Sequence, residues 1–440
     1  MDMSRGKISV GIIGFGTVGS GTARVLLQNG ALITRRTSLE IELRRIADLD
    51  ITRDRGVRLP DGVLTSDASA VLDDPGIQVV VECMGGIQPA KEFMLRAIRN
   101  GKHVVTANKA LLATEGNDIF RAAAEYNVEV GFEASVAGGI PIIKVLQEGL
   151  VANEIVAVYG IINGTSNYIL TKMTDEKVDF SEALKEAQRL GYAEADPTFD
   201  IEGIDSAHKL TILASLAYGI PLSYDEVYKE GITRITAQDI DFAAELGYKV
   251  KLLAIAKASP GEVELRVHPT MVSSDYLVSK VDGVFNAVYV EGDAVGSTLY
   301  YGRGAGDMPT GSAIVADIVD IGRRVAAGGL MRSPLLGRTG EGSAGPRIRR
   351  MEEIESMYYF RFSALDKPGV LSRIAGVLGS HDISIASVIQ KGRRIGGSVP
   401  LVVLTHRARE RDVRSSIDEI NRLSVVSDKT LFIRVEGRED

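Results

Sequence analysis

The sequence predicts an α/β protein in three parts: an N-terminal parallel sheet of the Rossmann type, an α+β substrate and dimerisation domain, and a C-terminal ferredoxin-like βαββαβ domain. Three observations lead to this fold class. Apolar runs alternate with helical patterns in the first third of the chain, a glycine-rich turn follows the first run, and strand and helix patterns in βαββαβ order end the chain. Such alternation is typical of parallel sheets, and the terminal order is that of ferredoxin-like domains.

Length and composition limit the class of protein. The chain has 440 residues, 45% hydrophobic and 25% charged, which predicts a globular protein of about two to three domains. No apolar run reaches the about 18 residues of a membrane span, and the N-terminus has no signal-peptide pattern, so we expect a cytoplasmic protein. The net charge of -7 argues against nucleic acid or an anionic membrane as partner.

Cysteine and histidine usage argues against a metal centre built on these residues. The only cysteine, Cys83, excludes an intrachain disulfide and a multi-cysteine metal site. The histidines lie far apart, and none has a second histidine or a cysteine at ligand spacing. A zinc site is therefore not expected.

The first predicted strand, 7–13, leads directly into a glycine-rich turn and then into a helical pattern. The turn has the pattern G-x-G-x-x-G and consists of Gly14, Phe15, Gly16, Thr17, Val18 and Gly19. Its first glycine permits the tight turn, its second lets a pyrophosphate approach the backbone, and its third lets the helix pack on the strand. The helix N-terminus faces the phosphates with its positive end. We predict a dinucleotide site here; the alternative is a βα turn without a ligand.

The second predicted strand, 41–46, ends close to Asp48, where the adenosine ribose should lie. An acid at this position accepts hydrogen bonds from the ribose hydroxyls and repels a 2′-phosphate, which favours NAD. Arg53 and Arg55 follow closely and favour a 2′-phosphate instead. The choice between NAD and NADP therefore stays open.

Two further strands, 79–84 and 103–105, change to glycine or polar residues at their carboxyl ends. Open parallel sheets bind ligands at those ends. The second of these strands runs into Lys109, which we expect to point toward the nicotinamide side of the crevice. The alternative is a solvent-facing lysine in a loop.

Residues 128–141 are predicted to form a strand and a loop of small residues. Backbone carbonyls of such a loop, together with the carboxylate of Glu133, suit a hard monovalent cation as well as they suit a phosphate site. Glu133 is alternatively a structural acid that caps the next helix.

Strands at 155–162, 252–256, 263–267 and 286–290 then alternate with helices, and a helix at 310–325 is expected to pack on the first domain.

The segment 190–209 concentrates charge before an apolar helix. It contains Glu194, Asp196, Asp200, Asp205 and Lys209. The last two are four residues apart and share a helical face, with about 5–6 Å between Cβ atoms. A partly desolvated lysine exchanges a proton near neutral pH, so the pair is a candidate acid/base site. The alternative is an ordinary surface ion pair beside an acidic loop.

The C-terminal region begins after 338–350, a segment rich in Gly, Arg and Glu that is predicted to be a linker. Strands at 358–364, 383–389, 401–405 and 430–435 and helices after 371 and at 410–421 follow. The predicted domains are 1–135, completed by about 305–335; 136–304; a linker at 336–355; and 356–437.

Together these segments resemble homoserine dehydrogenases that carry a C-terminal ACT domain. The resemblance covers nearly the whole chain and rests on G-Y-x-E-x-D-P-x-x-D at 191–200, G-x-D-x-x-x-K at 203–209, T-A-N-K-x-x-L at 106–112 and L-D-K-P-G-V-L at 365–371. It implies the reversible NAD(P)-dependent interconversion of L-homoserine and L-aspartate 4-semialdehyde in threonine, methionine and isoleucine biosynthesis. It also implies a homodimer or homotetramer.

The resemblance assigns roles to the charged residues. Lys209 becomes the acid/base, Lys109 the second essential lysine, and Asp205 part of the catalytic group. The substrate-binding residues it implies are Glu194, which binds the ammonium group, Asp200 and Tyr192.

The same resemblance implies three further sites. Sodium or potassium is expected at Glu133, Val136, Gly138 and Ile140, and the segment around Gly306 is expected to close over the cofactor. An amino-acid effector, threonine by family habit, is expected at Asp366, Gly369, Val370, Asp382 and Ile383. Many relatives carry asparagine where this chain has Asp382, which leaves the effector open.

Two other classes of protein compete with this interpretation. A phosphorylating aldehyde dehydrogenase needs a cysteine nucleophile in its second domain, whereas Cys83 ends an early strand and is expected to pack against the sheet. A non-catalytic sensor would use the dinucleotide and ACT modules alone. It would not need Lys109, Glu194 and Lys209 together.

Overall fold

The computed structural model describes residues 6–328, 345–391 and 397–437. Its strands are β1 (Gly6–Ile13), β2 (Leu39–Ala47), β3 (Leu64–Thr65), β4 (Val79–Glu82), β5 (His103–Thr106), β6 (Val130–Gly131), β7 (Ile155–Ile161), β8 (Tyr228–Lys229), β9 (Tyr248–Ser259), β10 (Glu262–Ser273), β11 (Phe285–Gly292), β12 (Gly296–Arg303), β13 (Arg347–Ile348), β14 (Glu355–Leu365), β15 (Ile385–Gln390), β16 (Ser398–Thr405), β17 (Ala408–Arg409) and β18 (Leu431–Glu436).

The helices follow the same chain order. They are α1 (Thr17–Thr37), α2 (Ser69–Leu72), α3 (Ala90–Arg99), α4 (Lys109–Glu125), α5 (Ile142–Lys144), α6 (Gly164–Glu176), α7 (Phe180–Arg189), α8 (Thr198–Ile201), α9 (Ile204–Tyr218), α10 (Ala237–Glu245), α11 (Asp307–Ala326), α12 (Val370–Ser380) and α13 (Glu410–Ile420). Within the described ranges, no helix has both the length and the apolar character that crossing a bilayer requires.

The chain folds into two compact units, each built from three separate stretches. The first unit comprises Met1–Ile162, Asp205–Asp225 and Phe285–Pro346. The second comprises Asn163–Ile204, Glu226–Val284 and Arg347–Asp440. The predicted domain ends at 135 and 304 do not coincide with ends of these units, because the chain passes between the units several times.

The first unit contains the predicted Rossmann-type sheet. Its six parallel strands have the order β3-β2-β1-β4-β5-β6. Strands β2 and β3 therefore lie on one side of β1, and strands β4, β5 and β6 lie on the other side. Successive residues of β4 enter two different cores: Val79 and Val81 pack with α1 and α11 on one face, and Val80 packs with α3 and α4 on the other. Burial on both faces explains why β4 begins as a continuous apolar run in the sequence.

Helix α11 packs on α1, as the sequence predicted for the segment 310–325. Two glycines allow the close approach. A Cβ atom on Gly21 would lie 2.1 Å from the carbonyl oxygen of Asp307, and one on Gly311 would lie 2.7 Å from the carbonyl carbon of Gly21. Helix α11 thus completes the nucleotide-binding half of the fold.

The first unit also holds an antiparallel sheet of order β12-β11-β7. Strand β12 was not predicted from the sequence. It runs antiparallel to β11 and is mostly exposed or half-buried. Its residues therefore lack the apolar alternation by which a half-buried strand is recognised.

The second unit contains the predicted ferredoxin-like domain. Its strands have the order β18-β14-β16-β15, with α12 and α13 in the connections, which is the βαββαβ topology. The sheet does not stop at β18, because β18 also pairs in parallel with β10, with Thr270 opposite Arg434. Strand β10 in turn forms a long antiparallel hairpin with β9.

Part of the predicted linker is structured. Residues 336–344 lie outside the described residues, but β13 pairs in parallel with the start of β10. Arg347 and Arg349 both form ion pairs with Glu262. The prediction of a linker is wrong for this part, because charges that suggested a solvated segment are paired with a neighbouring strand.

Candidate active site

Helix α9 carries a buried ion pair in its first two turns. The ammonium group of Lys209 donates hydrogen bonds to Oδ2 of Asp205 at 2.7 Å and to the carbonyl oxygen of Ile162 at 2.6 Å. Both side chains are less than one-tenth exposed. The i,i+4 pair therefore does not lie on the surface, where salt bridges contribute little, but inside the first unit.

A second lysine binds the other oxygen of the same carboxylate. The Nζ atom of Lys109, the first residue of α4, lies 3.0 Å from Oδ1 of Asp205. The Lys109 side chain is 36% exposed, whereas Asp205 is buried. When both lysines are protonated, the one carboxylate between them leaves the cluster with one excess positive charge. Such a cluster suits an oxygen atom that gains negative charge during a reaction.

Two of the predicted site residues, Asp200 and Tyr192, lie in the second unit. Both contact residues at the start of α6. Asn163 caps α6 and donates from Nδ2 to Oδ1 of Asp200 at 2.7 Å. The hydroxyl of Thr165 donates to the carbonyl oxygen of Tyr192 at 2.6 Å, and the Tyr192 ring lies 4.9 Å from that of Tyr168. The acidic segment is therefore folded onto the first turn of a helix.

The other two acids of this segment differ in their surroundings. Glu194 is exposed, and its carbonyl oxygen accepts a hydrogen bond from Gln188 at 3.1 Å. Asp196 accepts hydrogen bonds from the hydroxyl and the backbone N–H of Thr198, and these bonds lower the pKa of Asp196. Asp196 thus organises the turn before α8, which is a structural task.

The glycine-rich turn has the geometry that a dinucleotide requires. Gly14 has a φ of +96°, and a Cβ atom there would lie 2.6 Å from the carbonyl oxygen of Cys83. A Cβ atom on Gly19 would lie 1.9 Å from the carbonyl oxygen of Gly14, whereas one on Gly16 would meet no atom within 4 Å. The first and third glycines therefore permit packing, and the second leaves open space at the N-terminus of α1, where a pyrophosphate binds.

Asp48 is bound to the glycine-rich turn. Its Oδ2 accepts a hydrogen bond from the backbone N–H of Phe15 at 2.5 Å, and its Oδ1 accepts one from Asp50 at 2.8 Å. Arg55 forms an ion pair with Asp48 at 3.3 Å, and its guanidinium lies 5.6 Å from the centroid of the Phe15 ring. Asp48, the acid expected to repel a 2′-phosphate, is therefore partly neutralised by Arg55, one of the two arginines that favour NADP. Gly306, with a φ of +122°, immediately precedes α11.

Glu133 is a buried acid that caps α5, the structural role considered from the sequence. Its two carboxylate oxygens accept the backbone N–H groups of Ile143 and Lys144, each at 2.9 Å. Burial raises the pKa of Glu133. Asp317 accepts the backbone N–H of Glu133 at 2.8 Å, and burial raises the pKa of Asp317 to about 7. No sequence signal indicated Asp317, because it lies within an otherwise apolar stretch of α11.

The other residues predicted to bind a monovalent cation lie in the loop after Glu133. Ala137 and Gly138 both have positive φ angles, and the carbonyl oxygen of Ile140 accepts the N–H of Ile142 at 2.8 Å. The predicted ligands are the Glu133 carboxylate and the backbone carbonyl oxygens of Val136, Gly138 and Ile140. Hard cations prefer such donors, and a bound cation would favour the charged form of Glu133.

The predicted effector residues lie around α12. Gly369 precedes this helix with a φ of +85°, and Val370 begins it. The backbone N–H of Asp366 donates to the carbonyl oxygen of Gly397 at 3.0 Å. After the helix, Asp382 has a φ of +57° and Ile383 is buried. Asparagine and aspartate tolerate this left-handed conformation better than most residues, so one replaces the other without backbone strain.

Cys83 does not have the environment of a nucleophile. Burial raises the pKa of its thiol well above the ordinary value, and the charge of Glu82 raises it further. A catalytic cysteine needs the opposite shift. This observation argues against a thiol-dependent aldehyde dehydrogenase.

Comparisons with known proteins agree across the chain. Family models described as "Homoserine dehydrogenase, NAD binding domain", "Homoserine dehydrogenase" and "ACT domain" match residues 14–133, 141–319 and 358–425. A curated homoserine dehydrogenase of Pseudomonas aeruginosa is 49% identical over 98% of this chain and 99% of its own length.

Two solved structures are also similar. The crystal structure of a homoserine dehydrogenase from Thiobacillus denitrificans has a TM-score of 0.92 and 50% identity, with 98% of each chain covered. A hyperthermophilic archaeal homoserine dehydrogenase in complex with NADPH has a TM-score of 0.61 and 28% identity over 72% of this chain and 97% of its own.

Proposed function

The chain belongs to the homoserine dehydrogenase family of oxidoreductases, and we propose that it interconverts L-homoserine and L-aspartate 4-semialdehyde with Lys209 as the acid/base. The observation that carries this proposal is the binding of Lys209 and Lys109 to the two oxygens of one buried carboxylate, Asp205. An isolated structural ion pair needs only one lysine.

In this proposal each member of the cluster has a separate task. As a neutral amine, Lys209 takes the proton from the substrate hydroxyl during oxidation, and as an ammonium group it gives this proton to the carbonyl oxygen during reduction. Lys109 lies on the other side of Asp205 and stabilises negative charge on the same substrate oxygen. Asp205 holds both ammonium groups in place. The nicotinamide cofactor, when bound, supplies or accepts the hydride.

The proposed substrate-binding residues are those that the family resemblance implies: Glu194, Asp200 and Tyr192. The exposed carboxylate of Glu194 binds the substrate ammonium group. Asp200, held by Asn163, and Tyr192, held by Thr165, keep the acidic segment folded on the start of α6. Their role in this proposal is to fix the position of Glu194 rather than to react.

We propose that the chain accepts NADP as well as NAD. The support is the Asp48–Arg55 ion pair, which weakens the repulsion between Asp48 and a 2′-phosphate, together with a related enzyme solved with NADPH. Arg55 donates to a phosphate once it leaves Asp48. A monovalent cation, sodium or potassium, is proposed to bind Glu133 and the carbonyl groups of Val136, Gly138 and Ile140.

Regulation by an amino acid, threonine by family habit, is proposed for the ACT domain at Asp366, Gly369, Val370, Asp382 and Ile383. We also propose a homodimer or homotetramer working in threonine, methionine and isoleucine biosynthesis. A threonine titration of the full-length chain and of the Asp366→Ala variant tests the effector site. We expect inhibition of the first and a weaker response of the second; an equal response would remove Asp366 from the site.

The central test follows nicotinamide absorbance at 340 nm with L-homoserine and either cofactor. We expect turnover by the unaltered chain and a loss of about 10³-fold in kcat for Lys209→Ala, within the range of acid/base catalysis. Lys102→Met is the matched control, since Lys102 is also buried and donates to a main-chain carbonyl, that of Ile77.

Two outcomes would contradict the proposal in different ways. Unchanged turnover in Lys209→Ala would remove Lys209 from its role. No turnover of the unaltered chain with either cofactor, while threonine still binds, would favour a sensor.

A further inference from the structure

A buried carboxylate, Glu82, ends β4 at the carboxyl edge of the parallel sheet. It is 1% exposed and lies directly opposite Thr106, the last residue of β5. Its Oε2 accepts the Thr106 hydroxyl at 2.6 Å, and its Oε1 accepts the backbone N–H groups of Met84 and Gly85 at 2.8 and 3.2 Å. Neither Glu82 nor Thr106 has a part in the mechanism above.

The hydrogen bonds continue from Thr106 into the first turn of α4. Thr106 Oγ1 accepts the backbone N–H of Asn108 at 3.0 Å. The Asn108 side chain caps the helix: its Oδ1 accepts the N–H of Leu111 at 3.1 Å, and its Nδ2 donates to the carbonyl oxygen of Gly86 at 2.7 Å. A continuous polar chain, Glu82–Thr106–Asn108, therefore leads to the residue before Lys109.

We propose that Glu82 and Thr106 are positioning residues that place the ammonium group of Lys109 on Asp205. The proposal rests on the proposed role of Lys109 in the reaction. Lys109 is the first residue of α4, where the backbone N–H groups have no partners within the helix and the cap fixes the backbone. A displacement of its Cα atom changes the side-chain conformation that the ammonium group needs in order to reach Asp205.

The need for such positioning follows from the geometry of the cluster. The Nζ atom of Lys109 lies 3.0 Å from Asp205, which belongs to another helix. The distance between the starts of α4 and α9 must therefore be fixed. A misplacement of about 1 Å in a reacting group costs about 100-fold in rate. The same Glu82 carboxylate also fixes the turn before Gly86, whose carbonyl oxygen holds Asn108.

The test compares Thr106→Val with Thr106→Ser. Valine removes the oxygen that bonds both Glu82 and Asn108, and serine restores it. We expect kcat to fall by about 10- to 100-fold in Thr106→Val, with the KM for L-homoserine changed less than about threefold, and to return to within about threefold of the unaltered value in Thr106→Ser. Thermal unfolding and NADPH binding, followed by fluorescence, show whether each variant is folded.

Thr405→Val is the matched control. Thr405 is also buried, and its Oγ1 also accepts a backbone N–H, that of Tyr358 at 3.1 Å, but it lies in the second unit. We expect this variant to lose stability and to retain kcat. If Thr106→Val does not fold, Glu82→Gln, which keeps the shape of the side chain, takes its place with an expected loss of about tenfold in kcat, and an unchanged kcat in this variant overturns the inference.

A double-mutant cycle with Lys109→Ala separates positioning from a general structural effect. If Thr106 acts through Lys109, its substitution lowers the residual kcat of Lys109→Ala by less than about twofold. An equal loss in both backgrounds, or no loss in Thr106→Val alone, overturns the inference while leaving the proposed reaction intact. Full activity of Lys109→Ala would instead remove Lys109 from the proposed function, and the positioning role with it.

Discussion

Asp205 binds Lys209 through one carboxylate oxygen at 2.7 Å and Lys109 through the other at 3.0 Å. The two lysines come from different helices, α9 and α4, and only the first pair is local in sequence. A buried carboxylate without such partners would be strongly unfavourable. The two ammonium groups therefore stabilise Asp205, and Asp205 fixes the distance between them.

Asp205→Asn is predicted to lower kcat without unfolding the protein. Asparagine keeps the shape of the side chain but leaves two neighbouring ammonium groups without the negative charge between them. We expect a loss of about 10²- to 10³-fold in kcat. Steady-state kinetics measures the loss, and circular dichroism shows that the fold is retained.

Asp196→Asn is the control for this prediction. Asp196 belongs to the same acidic segment, but it organises the turn before α8. We expect this variant to keep its kcat within about threefold, because Asp196 is exposed and the asparagine oxygen can still accept the hydrogen bonds from Thr198. Equal losses in the two variants would mean that the whole segment, rather than Asp205, determines activity.

From the raised pKa of Asp317 we predict that the free energy of unfolding falls as the pH rises toward neutral. Burial raises its pKa from 3.8 to about 7, so between these values the folded chain binds a proton that the unfolded chain has released. Stability must then decrease with increasing pH across this window, by on the order of 4 kcal/mol for the isolated group. Glu133, whose pKa is also raised by burial, acts in the same direction.

The Asp317→Asn variant should lose most of this pH dependence. Asparagine still accepts the N–H of Glu133 but does not ionise. Urea unfolding at pH 5 and pH 8 should show that the variant loses less stability than the unaltered chain. Asp320→Asn, at a partly exposed acid that pairs with Lys144, is the control. If the slopes of the unaltered chain and Asp317→Asn are equal, Asp317 does not carry the raised pKa.

Much of the first unit follows from its sequence because its patterns are local. Strands buried on both faces appear as apolar runs, the glycine-rich turn lies between strand and helix, and the Asp205–Lys209 pair has helical spacing. The Lys109–Asp205 contact could not be derived in this way, because it joins distant parts of the chain. From the sequence, only the family resemblance placed Lys109 in the same catalytic group as Asp205 and Lys209.

Other features were hidden for identifiable reasons. Strand β12 has no apolar alternation because it is largely exposed. Asp317 interrupts an apolar helix without any motif. The segment that contains Arg347 and Arg349 was predicted to be a linker because it is rich in Gly, Arg and Glu and has no periodic apolar face, and their partner Glu262 precedes them by more than 80 residues. The pairing of β18 with β10 likewise depends on a contact between remote segments that no local pattern records.

Arg55 should contribute more to the use of NADP than to the use of NAD. The guanidinium already compensates Asp48 and lies near the glycine-rich turn. We expect Arg55→Ala to lower kcat/KM for NADP about tenfold relative to NAD, since a hydrogen bond to a charged group contributes about 1.5–3 kcal/mol. Direct binding of NADPH and NADH, measured by fluorescence, should show the same preference.

The exposed Arg58 provides the control for charge alone. Arg58→Ala removes the same net charge from the same loop and should change both cofactors equally. Equal effects of the two variants would indicate a general electrostatic attraction of the cofactor. They would exclude a specific contact between Arg55 and the 2′-phosphate.

A buried charge network joins the ACT domain to the β9–β10 hairpin within the second unit. Glu436 on β18 binds Arg266 of β10 at 2.8 Å and Lys257 of β9 at 2.7 Å, and the Arg266 side chain is 1% exposed. Burial alone would raise the pKa of Glu436, but the charges of Lys257 and Arg266 lower it overall. A truncated chain without residues 351–440 would lack the ACT domain, but Lys257 and Arg266 would then lose their partner Glu436. Regulation is therefore better tested in the full-length chain.

Glu436→Gln is predicted to destabilise the second unit, and to do so less at low pH. Loss of one partner of a buried ion pair costs about 3–5 kcal/mol. Because the pKa of Glu436 is lowered by folding, its contribution is present above the ordinary value of 4.5 and is lost as the pH falls through the folded-state pKa. Urea unfolding at pH 7 and pH 3.5 should therefore show a larger difference between the two chains at pH 7. Glu262→Gln, at a partly exposed acid that pairs with Arg347 and Arg349, should destabilise the chain much less than Glu436→Gln, because solvent-exposed ion pairs contribute little. A difference that is the same at both pH values would show that the charge of Glu436 does not hold β18 against β10.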